Sequence, residues 1–343
     1  MAPLDSEQFP SISIVVIGRN EGPRLSRCLQ SVLCSDYPSG RIELIYVDTD
    51  STDDSCQIAE KLGAKVVRLK PQRPCAAIGR NAGFRAAAHE LVHFLDGDTI
   101  LNRSWLRQGA QAIRDPSMAC VFGRREETAA RSTIFNFWAH HDWYVAPGPA
   151  ESCAGDALFR RDVLARAGGF DESLIAGEEP DLCHRIRRDF GLTILSLDHP
   201  MTLHDMSMTR WSQYWRRCVR TGHAYAEVGG RHPGMRRWRR ARWRNLFYAL
   251  GTPLFLGLSL GFWTPWPLVL WVALVALAIL RNAIRLRPRV GTLGDAIKYS
   301  LHHYLAKTPS AVGQCIYWAR SALGRRPQAL IEYRTNQTSR DPA

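Results

Sequence analysis

Two aspartates one residue apart are the feature of this sequence best suited to chemistry. Asp96 and Asp98 follow an apolar run, residues 91–95, that predicts a buried strand. Ligands of open α/β sheets bind beyond the carboxyl ends of the strands, so both carboxylates are expected at a crevice. Two carboxylates this close favour a cation between them, and Mg²⁺ or Mn²⁺ would bridge them to a substrate diphosphate. The alternative is an ordinary Asp-Gly surface turn.

A second pair of aspartates, Asp48 and Asp50, follows the apolar run 42–47. Strands and helices alternate from residue 11 to residue 123, which predicts βαβ units, a parallel sheet and both pairs on one sheet edge. Two aspartate pairs at one edge favour the binding of a nucleotide together with a metal ion. A dinucleotide-dependent dehydrogenase is not favoured, because the turn at residues 18–23 lacks the G-x-G-x-x-G fingerprint. The predicted elements are strands 11–17, 42–47, 65–69, 91–95, 119–123 and 193–197, and helices 24–33, 55–62, 76–88 and 104–113.

Composition limits the class of protein. The 343 residues suffice for one large domain with an appendage, or for two domains. The formal net charge of +13, mostly from arginine, favours nucleic acid, an anionic membrane surface or a phosphorylated substrate as partner. Nine cysteines without a CxxC pair indicate a reducing compartment. Residues 1–10 have no apolar segment of a secretory signal and are expected to form an N-terminal tail.

Several motifs along residues 11–222 resemble, in order, those of the family 2 glycosyltransferases, which have the GT-A fold. They are SIVVIGRNE (13–21), VDTDSTDDS (47–55), GRNAG (79–83), FLDGD (94–98), GDALFRR (155–161), GGFDE (168–172) and GEEPDLCHR (177–185). Each motif is weak alone, and together they are specific. The resemblance implies an α/β fold, with a Rossmann-like nucleotide-sugar-binding domain over residues 11–230.

The resemblance also assigns site residues. The segment 94–98 matches the family's D-x-D motif, so Asp98 and Asp96 would bind Mg²⁺ or Mn²⁺, with Asp96 also near the ribose. His204 would complete the metal site, because many enzymes of this fold place a histidine there; the alternative is a structural hydrogen bond. The implied nucleotide-sugar-binding residues are Asp48, Asp50, Arg80, Asp96, Gly155 and Asp156.

The expected general base departs from the family's pattern. Family members carry an aspartate where this chain has Glu179, whose carboxylate is displaced by about 1.5 Å by the extra methylene. We expect Glu179 to take the acceptor's proton, with Glu178 as the next catalytic candidate. The alternative is that Glu178 or Asp181 is the base and Glu179 only packs at a helix start.

Residues 211–217 resemble the Q-x-x-R-W motif of processive synthases. The match makes Gln213 and Arg216 candidate contacts of the diphosphate or the acceptor. Arg217 stands where the motif has tryptophan, which argues against processivity.

The last third of the chain has a different composition. Residues 231–245 form a basic, aromatic collar, and residues 245–280 carry no charge. This run exceeds one ~30 Å span and is broken near residues 263–267, so 246–287 predicts a C-terminal transmembrane helical hairpin with its arginines in the cytoplasm. Residues 288–326 predict interfacial helices and 327–343 a polar tail. A buried helical pair and a nucleic-acid-binding protein are the alternatives.

The predicted protein is an inverting, metal-dependent hexosyltransferase. It would lie at the inner membrane as a multi-pass protein with its catalytic domain in the cytoplasm. The donor would be a nucleotide sugar, a UDP-sugar, and the acceptor a membrane lipid, a lipid-linked saccharide or a polysaccharide. Other polysaccharide-assembly proteins are candidate partners, and nucleic acid is not expected to be one. The alternatives are a catalytically inactive nucleotide-sugar sensor or scaffold and a processive polysaccharide synthase.

Overall fold

The computed structural model describes residues 9–324, which form a mixed β-sheet flanked by helices and a helical C-terminal part. Residues 1–8 of the predicted N-terminal tail (residues 1–10) and the whole predicted polar tail (residues 327–343) lie outside the described residues. The strands are β1 (Ile12–Gly18), β2 (Ile42–Thr49), β3 (Lys65–Leu69), β4 (Leu91–Asp96), β5 (Thr99–Leu101), β6 (Met118–Glu127), β7 (Gly148–Ala150), β8 (Ala157–Arg160) and β9 (Thr193–His204). The helices are α1 (Pro23–Leu33), α2 (Ser55–Lys61), α3 (Ala76–Ala86), α4 (Trp105–Ala112), α5 (Ile134–Asp142), α6 (Arg161–Arg166), α7 (Glu178–Phe190), α8 (Trp211–Arg231), α9 (Arg236–Gly261), α10 (Trp266–Val290), α11 (Leu293–Leu305) and α12 (Lys307–Ala322).

The strand order is β3-β2-β1-β4-β8-β6-β9-β5, with β7 paired to β9. Strands β1 to β4 pair in parallel, as does β6 with β9. The prediction of a parallel sheet is wrong beyond these strands, because β8 runs antiparallel between β4 and β6, and β5 is antiparallel to β9. Strand β8 carries no long apolar run and follows no crossover helix, so the alternation of elements did not reveal it.

The central strand β1 brings the two aspartate pairs together. Its residues are buried on both faces, which explains the near-continuous apolar run. In the parallel register, Gly18 lies beside Asp48 of β2, and Ile17 lies beside Asp96 of β4. The prediction that both pairs lie on one sheet edge is therefore confirmed.

Strand β9 is longer than the sequence predicted. It continues past residue 197 to His204, and Thr99 of β5 pairs with His204 in the antiparallel register. Because β5 begins one residue after Asp98, this pairing carries the histidine to the end of β4. Asp98 and His204 are thus brought together although they lie far apart in the sequence.

The two C-terminal helices pack against the α/β domain. Helices α8 and α12 approach so closely that a Cβ added at Gly313 would lie 2.0 Å from the Val219 carbonyl oxygen. An added Cβ at Gly222 would lie 1.9 Å from the Ser310 carbonyl oxygen. Helix α11 contacts α10 and α5. The described part of residues 288–326 therefore contacts the α/β domain on one side, and its placement along a membrane interface stays a prediction.

Helices α9 and α10 contain the uncharged run and break where the sequence predicted. In the described range, α10 is the one helix long and apolar enough to cross a membrane. Helix α9 starts inside the arginine-rich collar and contains Pro253, and its uncharged part is only residues 245–261. The second transmembrane span and the multi-pass topology are thus not confirmed.

Candidate active site

A cavity of about 520 Å³ opens at the carboxyl ends of β1 and β4. Its walls come from both halves of the sheet and from helices α3, α7 and α8. The charged residues that line it are Arg19, Glu21, Arg80, Asp96, Asp98, Arg125, Glu178, Glu179, Arg217 and Arg220, and His204, Trp143, Asn20 and Thr49 also line it. Cationic and anionic groups alternate, so the cavity suits a ligand that carries phosphate and hydroxyl groups.

Asp96, Asp98 and His204 form a candidate metal centre. One ligand atom from each lies within 4.8 Å of the others, and His204 Nε2 is 3.4 Å from an Asp98 carboxylate oxygen. Asp98 and His204 are buried, where an ion would be shielded from bulk water. Two carboxylates with one imidazole are a donor set that suits Mg²⁺ or Mn²⁺. The predicted metal residues are therefore brought together by the fold.

Arg80 joins the metal residues to the candidate base. Its buried guanidinium donates to Glu178 Oε1 at 2.9 Å and to Asp96 Oδ1 at 3.1 Å, and lies 3.0 Å from Glu179 Oε1. Burial alone would lower the pKa of Arg80, but the carboxylates of Glu179, Asp96 and Glu178 raise it. Arg80 therefore stays a cation at the centre of the cavity.

Arg125 is a site residue that the sequence analysis missed. Its Nη2 lies 2.8 Å from an oxygen of Asp96 and 2.9 Å from an oxygen of Asp156. Burial tends to raise the pKa of Asp96, yet Arg125 and Arg80 hold it well below its usual range. The predicted strand ended at residue 123, whereas β6 continues to residue 127 and delivers this side chain. A basic pair directly after an apolar strand was the available signal.

Gly155 and Asp156 lie next to one another but differ in role. Asp156 is fully buried and does not line the cavity; its carboxylate accepts from the Asp96 backbone N–H at 3.0 Å and from Thr202 Oγ1 at 2.7 Å. It thus holds Asp96 and Arg125 in place. At Gly155 an added Cβ would lie 2.5 Å from Arg80 Nη2 and 3.0 Å from Asp96 Oδ2. The glycine lets the backbone approach the Arg80–Asp96 pair.

Gly155→Ala should disturb that pair. Arg80 is held by three carboxylates and cannot yield without losing a buried ion pair, so we expect turnover to fall by about 10-fold or more. The donor concentration dependence of nucleotide release would measure the loss. Gly40→Ala is the matched control, since nothing lies within 4 Å of its added Cβ. Equal turnover of the two variants would contradict the close-approach role.

The start of α7 presents the base candidates. Gly177 precedes the helix in a left-handed conformation, φ 89°, and both Glu178 and Glu179 line the cavity. Burial and the charge of Glu178 raise the pKa of Glu179 to about 7, against the opposing effect of Arg80. Asp181 lies elsewhere, with its carboxylate bonded to Arg185 at 2.9 Å and His232 at 2.6 Å.

The remaining predicted residues lie around the cavity without lining it. Asp48 is buried and accepts from Tyr46 Oη at 3.1 Å and from the Ser51 N–H at 3.0 Å. The carbonyl of Asp50, which has φ 72°, accepts from Arg19. Both shape the β1–β2 end of the cavity, whose lining includes Thr49 and Asn20.

Helix α8 contributes residues other than those expected. Gln213 caps the helix, because its Oε1 accepts from the Thr209 and Arg210 N–H groups at 2.9 Å. Arg216 is exposed away from the cavity, whereas Arg217 and Arg220 line it. These two are three residues apart and so share a helix face. The sequence motif identified the correct helix but the wrong face.

Comparison with known proteins shows what this part of the chain is similar to. Residues 13–164 match the family model described as Glycosyl transferase family 2. The match covers less than half of the chain. Among curated proteins, a 25% identical relative is the Haloferax volcanii glycosyltransferase AglE, aligned over 49% of this chain and 59% of AglE. The chain thus matches less than two thirds of that relative's length.

Two solved structures share the fold of most of this chain. A mannosyltransferase from Pyrobaculum calidifontis, solved with GDP-mannose and Mn²⁺, aligns with a TM-score of 0.61 at 18% identity, covering 91% of this chain and 89% of that one. Staphylococcus aureus TarS, solved with UDP-GlcNAc, aligns with a TM-score of 0.52 at 17% identity, covering 92% of each chain. At these identities the likeness establishes the fold, which confirms the GT-A-like α/β architecture predicted from the motifs.

Proposed function

We propose that this protein is an inverting glycosyltransferase that uses a nucleoside diphosphate sugar and a divalent metal. The observation that carries the proposal is the single cavity in which the Asp96–Asp98–His204 cluster lies beside Arg80 and the carboxylates of Glu178 and Glu179. The first cluster suits a metal–diphosphate unit, and the second supplies a cation and a base. The two similar solved structures hold GDP-mannose and UDP-GlcNAc, which supports this donor class; we take a UDP-sugar as the donor.

The reaction would be a single displacement. The acceptor hydroxyl oxygen attacks the anomeric carbon while the bond from that carbon to the diphosphate oxygen breaks, and the nucleoside diphosphate leaves. Glu179 takes the hydroxyl proton. Asp98, His204 and Asp96 would hold Mg²⁺ or Mn²⁺, which when bound neutralises charge on the diphosphate. Arg80, fixed by its carboxylates, adds a preorganised positive charge near the leaving group.

The acceptor is proposed to be a membrane lipid or a lipid-linked saccharide. Helices α9 and α10 pack against each other, with Trp271 against Gly251, and project many exposed apolar side chains. The chain leaves the α/β domain at α8 and returns to it at α11, so this pair would enter a bilayer and return on the same side. The arginines that flank the pair suit an anionic cytoplasmic membrane surface. The acceptor would then reach the cavity from that surface.

A charge on the exposed face of α10 should release the protein from membranes. Leu270 and Leu277 are 65% and 67% exposed, and each glutamate placed in hydrocarbon costs several kcal/mol. After a carbonate wash of the vesicles, we expect the double variant Leu270→Glu, Leu277→Glu to be released, so that it no longer floats with the vesicles in a density gradient. Leu33→Glu is the control, since Leu33 is 52% exposed on α1. Retention of the double variant would refute insertion by this helix.

A screen of nucleotide sugars tests the activity itself. The full-length protein, in vesicles of zwitterionic and anionic lipid extract, would be given UDP- and GDP-sugars with and without Mn²⁺, and release of nucleoside diphosphate would be measured. Metal-dependent release with one donor, together with a labelled lipid product, is the expected result. Binding of a nucleotide sugar without any turnover would instead favour the sensor or scaffold alternative.

The pH dependence of turnover should report Glu179. Because the base must be ionised and its pKa is about 7, kcat/KM should fall as pH drops through about 7 and level off above it. Glu178→Gln removes a negative charge that raises this pKa, so the acid limb should move to lower pH. Profiles measured between about pH 5 and 9 would decide, and a limb unmoved in Glu178→Gln would argue against Glu179 as its origin.

A further inference from the structure

A second hydrophobic core, separate from the one around the sheet, lies between α5, α8 and α11. It includes Met206, two residues beyond His204, and Trp143 packs against it from the side of the cavity. Its buried members are Phe135, Trp138, Ala139, Met206, Met208, Tyr214, Cys218 and Tyr299. This core therefore connects α11, the helix that follows the apolar helices α9 and α10, to the rim of the candidate metal centre.

A chain of hydrogen bonds crosses this core and ends on Asp142, the last residue of α5. His302 of α11 is buried, with Nδ1 at 2.9 Å from the Tyr214 hydroxyl and Nε2 at 3.0 Å from Asp142 Oδ2. Tyr299 donates its hydroxyl to Asp142 Oδ1 at 3.0 Å. Both carboxylate oxygens of Asp142 are thus bonded to α11, and we call Asp142, Tyr299 and His302 the Asp142 brace.

Helix α5 is bound to α11 at further points. The Trp138 indole N–H donates to the Lys298 carbonyl at 3.0 Å, and the Trp138 ring stacks on His302 with 5.0 Å between centroids. Trp143 follows Asp142 directly as the C-cap of α5, with its N–H bonded to the Ala139 carbonyl. Fixing the end of α5 therefore fixes the backbone from which Trp143 projects.

Trp143 lies between two groups of the metal centre. Its ring meets the His204 ring edge to face, with 4.8 Å between centroids. The Arg125 guanidinium, which is bonded to Asp96, lies 5.5 Å from the centre of the Trp143 ring. A shift of Trp143 would thus remove the ring contact that holds His204. It would also disturb Arg125, which is bonded to Asp96, another of the candidate metal ligands.

We propose that Trp143, held by the Asp142 brace, is a positioning residue that orients His204 for metal binding. The inference rests on the proposed function only in requiring that the Asp96–Asp98–His204 cluster binds a divalent cation. Groups that orient a metal-ligating histidine are typically worth 10–100-fold in metal affinity or activity. Helix α11, which follows the apolar helices α9 and α10, would thereby support a metal centre whose ligands precede all three helices in the sequence.

Mn²⁺ binding to the full-length protein, without any nucleotide sugar, tests the proposal. The dissociation constant would be obtained from the electron paramagnetic resonance signal of free Mn²⁺. We expect it to rise about 10-fold or more in Trp143→Ala and about 10-fold in His302→Ala. Trp143→Phe, which keeps a ring against His204, should retain most of the affinity. Lys298→Ala is the matched control on α11, because that side chain is exposed and pairs with Asp295 on the same helix.

A second readout separates positioning from loss of fold. Saturating Mn²⁺ should restore most of the turnover of His302→Ala, since its ligands are present but misoriented. If that variant unfolds, Asp142→Asn, which keeps the shape of a partly exposed side chain, replaces it with the same expectation. Unchanged Mn²⁺ affinity in Trp143→Ala, or lost turnover that excess Mn²⁺ does not restore, would overturn the positioning role. Wild-type Mn²⁺ affinity in Asp98→Ala would instead overturn the metal centre and with it the proposed function.

Discussion

Asp98→Ala should reduce sugar transfer by about 10³-fold or more, because a ligand that bridges protein and diphosphate contributes several kcal/mol to the transition state. Asp98 is buried at the turn between β4 and β5, with a carboxylate oxygen 3.4 Å from His204 Nε2. The measurement is nucleoside diphosphate release at saturating donor, over a series of Mn²⁺ concentrations.

Two comparisons make this result specific. Asp189→Ala removes an exposed carboxylate on α7 that pairs with the adjacent Arg188, and should be indistinguishable from wild type. Thermal unfolding in the presence of a chelator should give similar midpoints for Asp98→Ala and wild type, which would exclude a folding defect. Full activity of wild type in excess chelator would show that the cluster has no metal role.

Glu179→Gln should lower turnover by roughly 10²–10⁴-fold, the usual worth of general base catalysis, with little change in donor affinity. The amide keeps the size of the side chain but cannot accept the hydroxyl proton. Glu179→Asp should retain more activity than Glu179→Gln, since it keeps a carboxylate and restores the residue that the family carries. Single-turnover rates with bound donor would separate the chemical step from binding.

Glu178→Gln provides the decisive comparison for the base. Both glutamates are bonded to Arg80, but Glu178 is the more buried of the two, with 7% of its side chain exposed against 16% for Glu179. We expect Glu178→Gln to weaken donor binding by releasing Arg80, more than it slows the chemical step. A near-normal rate in Glu179→Gln with an inactive Glu178→Gln would transfer the base role to Glu178.

The local motifs predicted most of the α/β domain correctly. The elements from β1 to β4 begin and end within two residues of the predicted positions, because apolar runs and short helices separated by polar, glycine and proline residues leave clear boundaries. The pairing of Asp48 and Asp96 across β1 follows from parallel register alone. Strand direction beyond β4 was not predictable, since an antiparallel insertion such as β8 depends on which sheet edge is free.

The helical part shows the limit of patterns that ignore packing. The sequence predicted interfacial helices over residues 288–326 because one face is apolar. In the described part, α11 and α12 pack against α5 and α8 at His302 and Gly313. The apolar side chains Ile297, Leu301 and Leu305 of α11 stay exposed, so the interfacial placement stays a prediction. An apolar face is the same signal whether it meets lipid or protein. Removal of the C-terminal helices is therefore expected to expose the core around Tyr214, and the two parts are not separable as composition suggested.

The sequence by itself determined the chemistry of the site: two carboxylates after a buried strand, a Glu-Glu pair in place of Glu-Asp, and Arg80, which precedes both in the chain. Residue type and strand register set these features, and both are local. Only the tertiary structure decided the partners, because Arg125, Trp143 and Arg217 reach the cavity through a long β6, a helix end and a helix face. These contacts join residues far apart in the chain, and no spacing along the sequence records them.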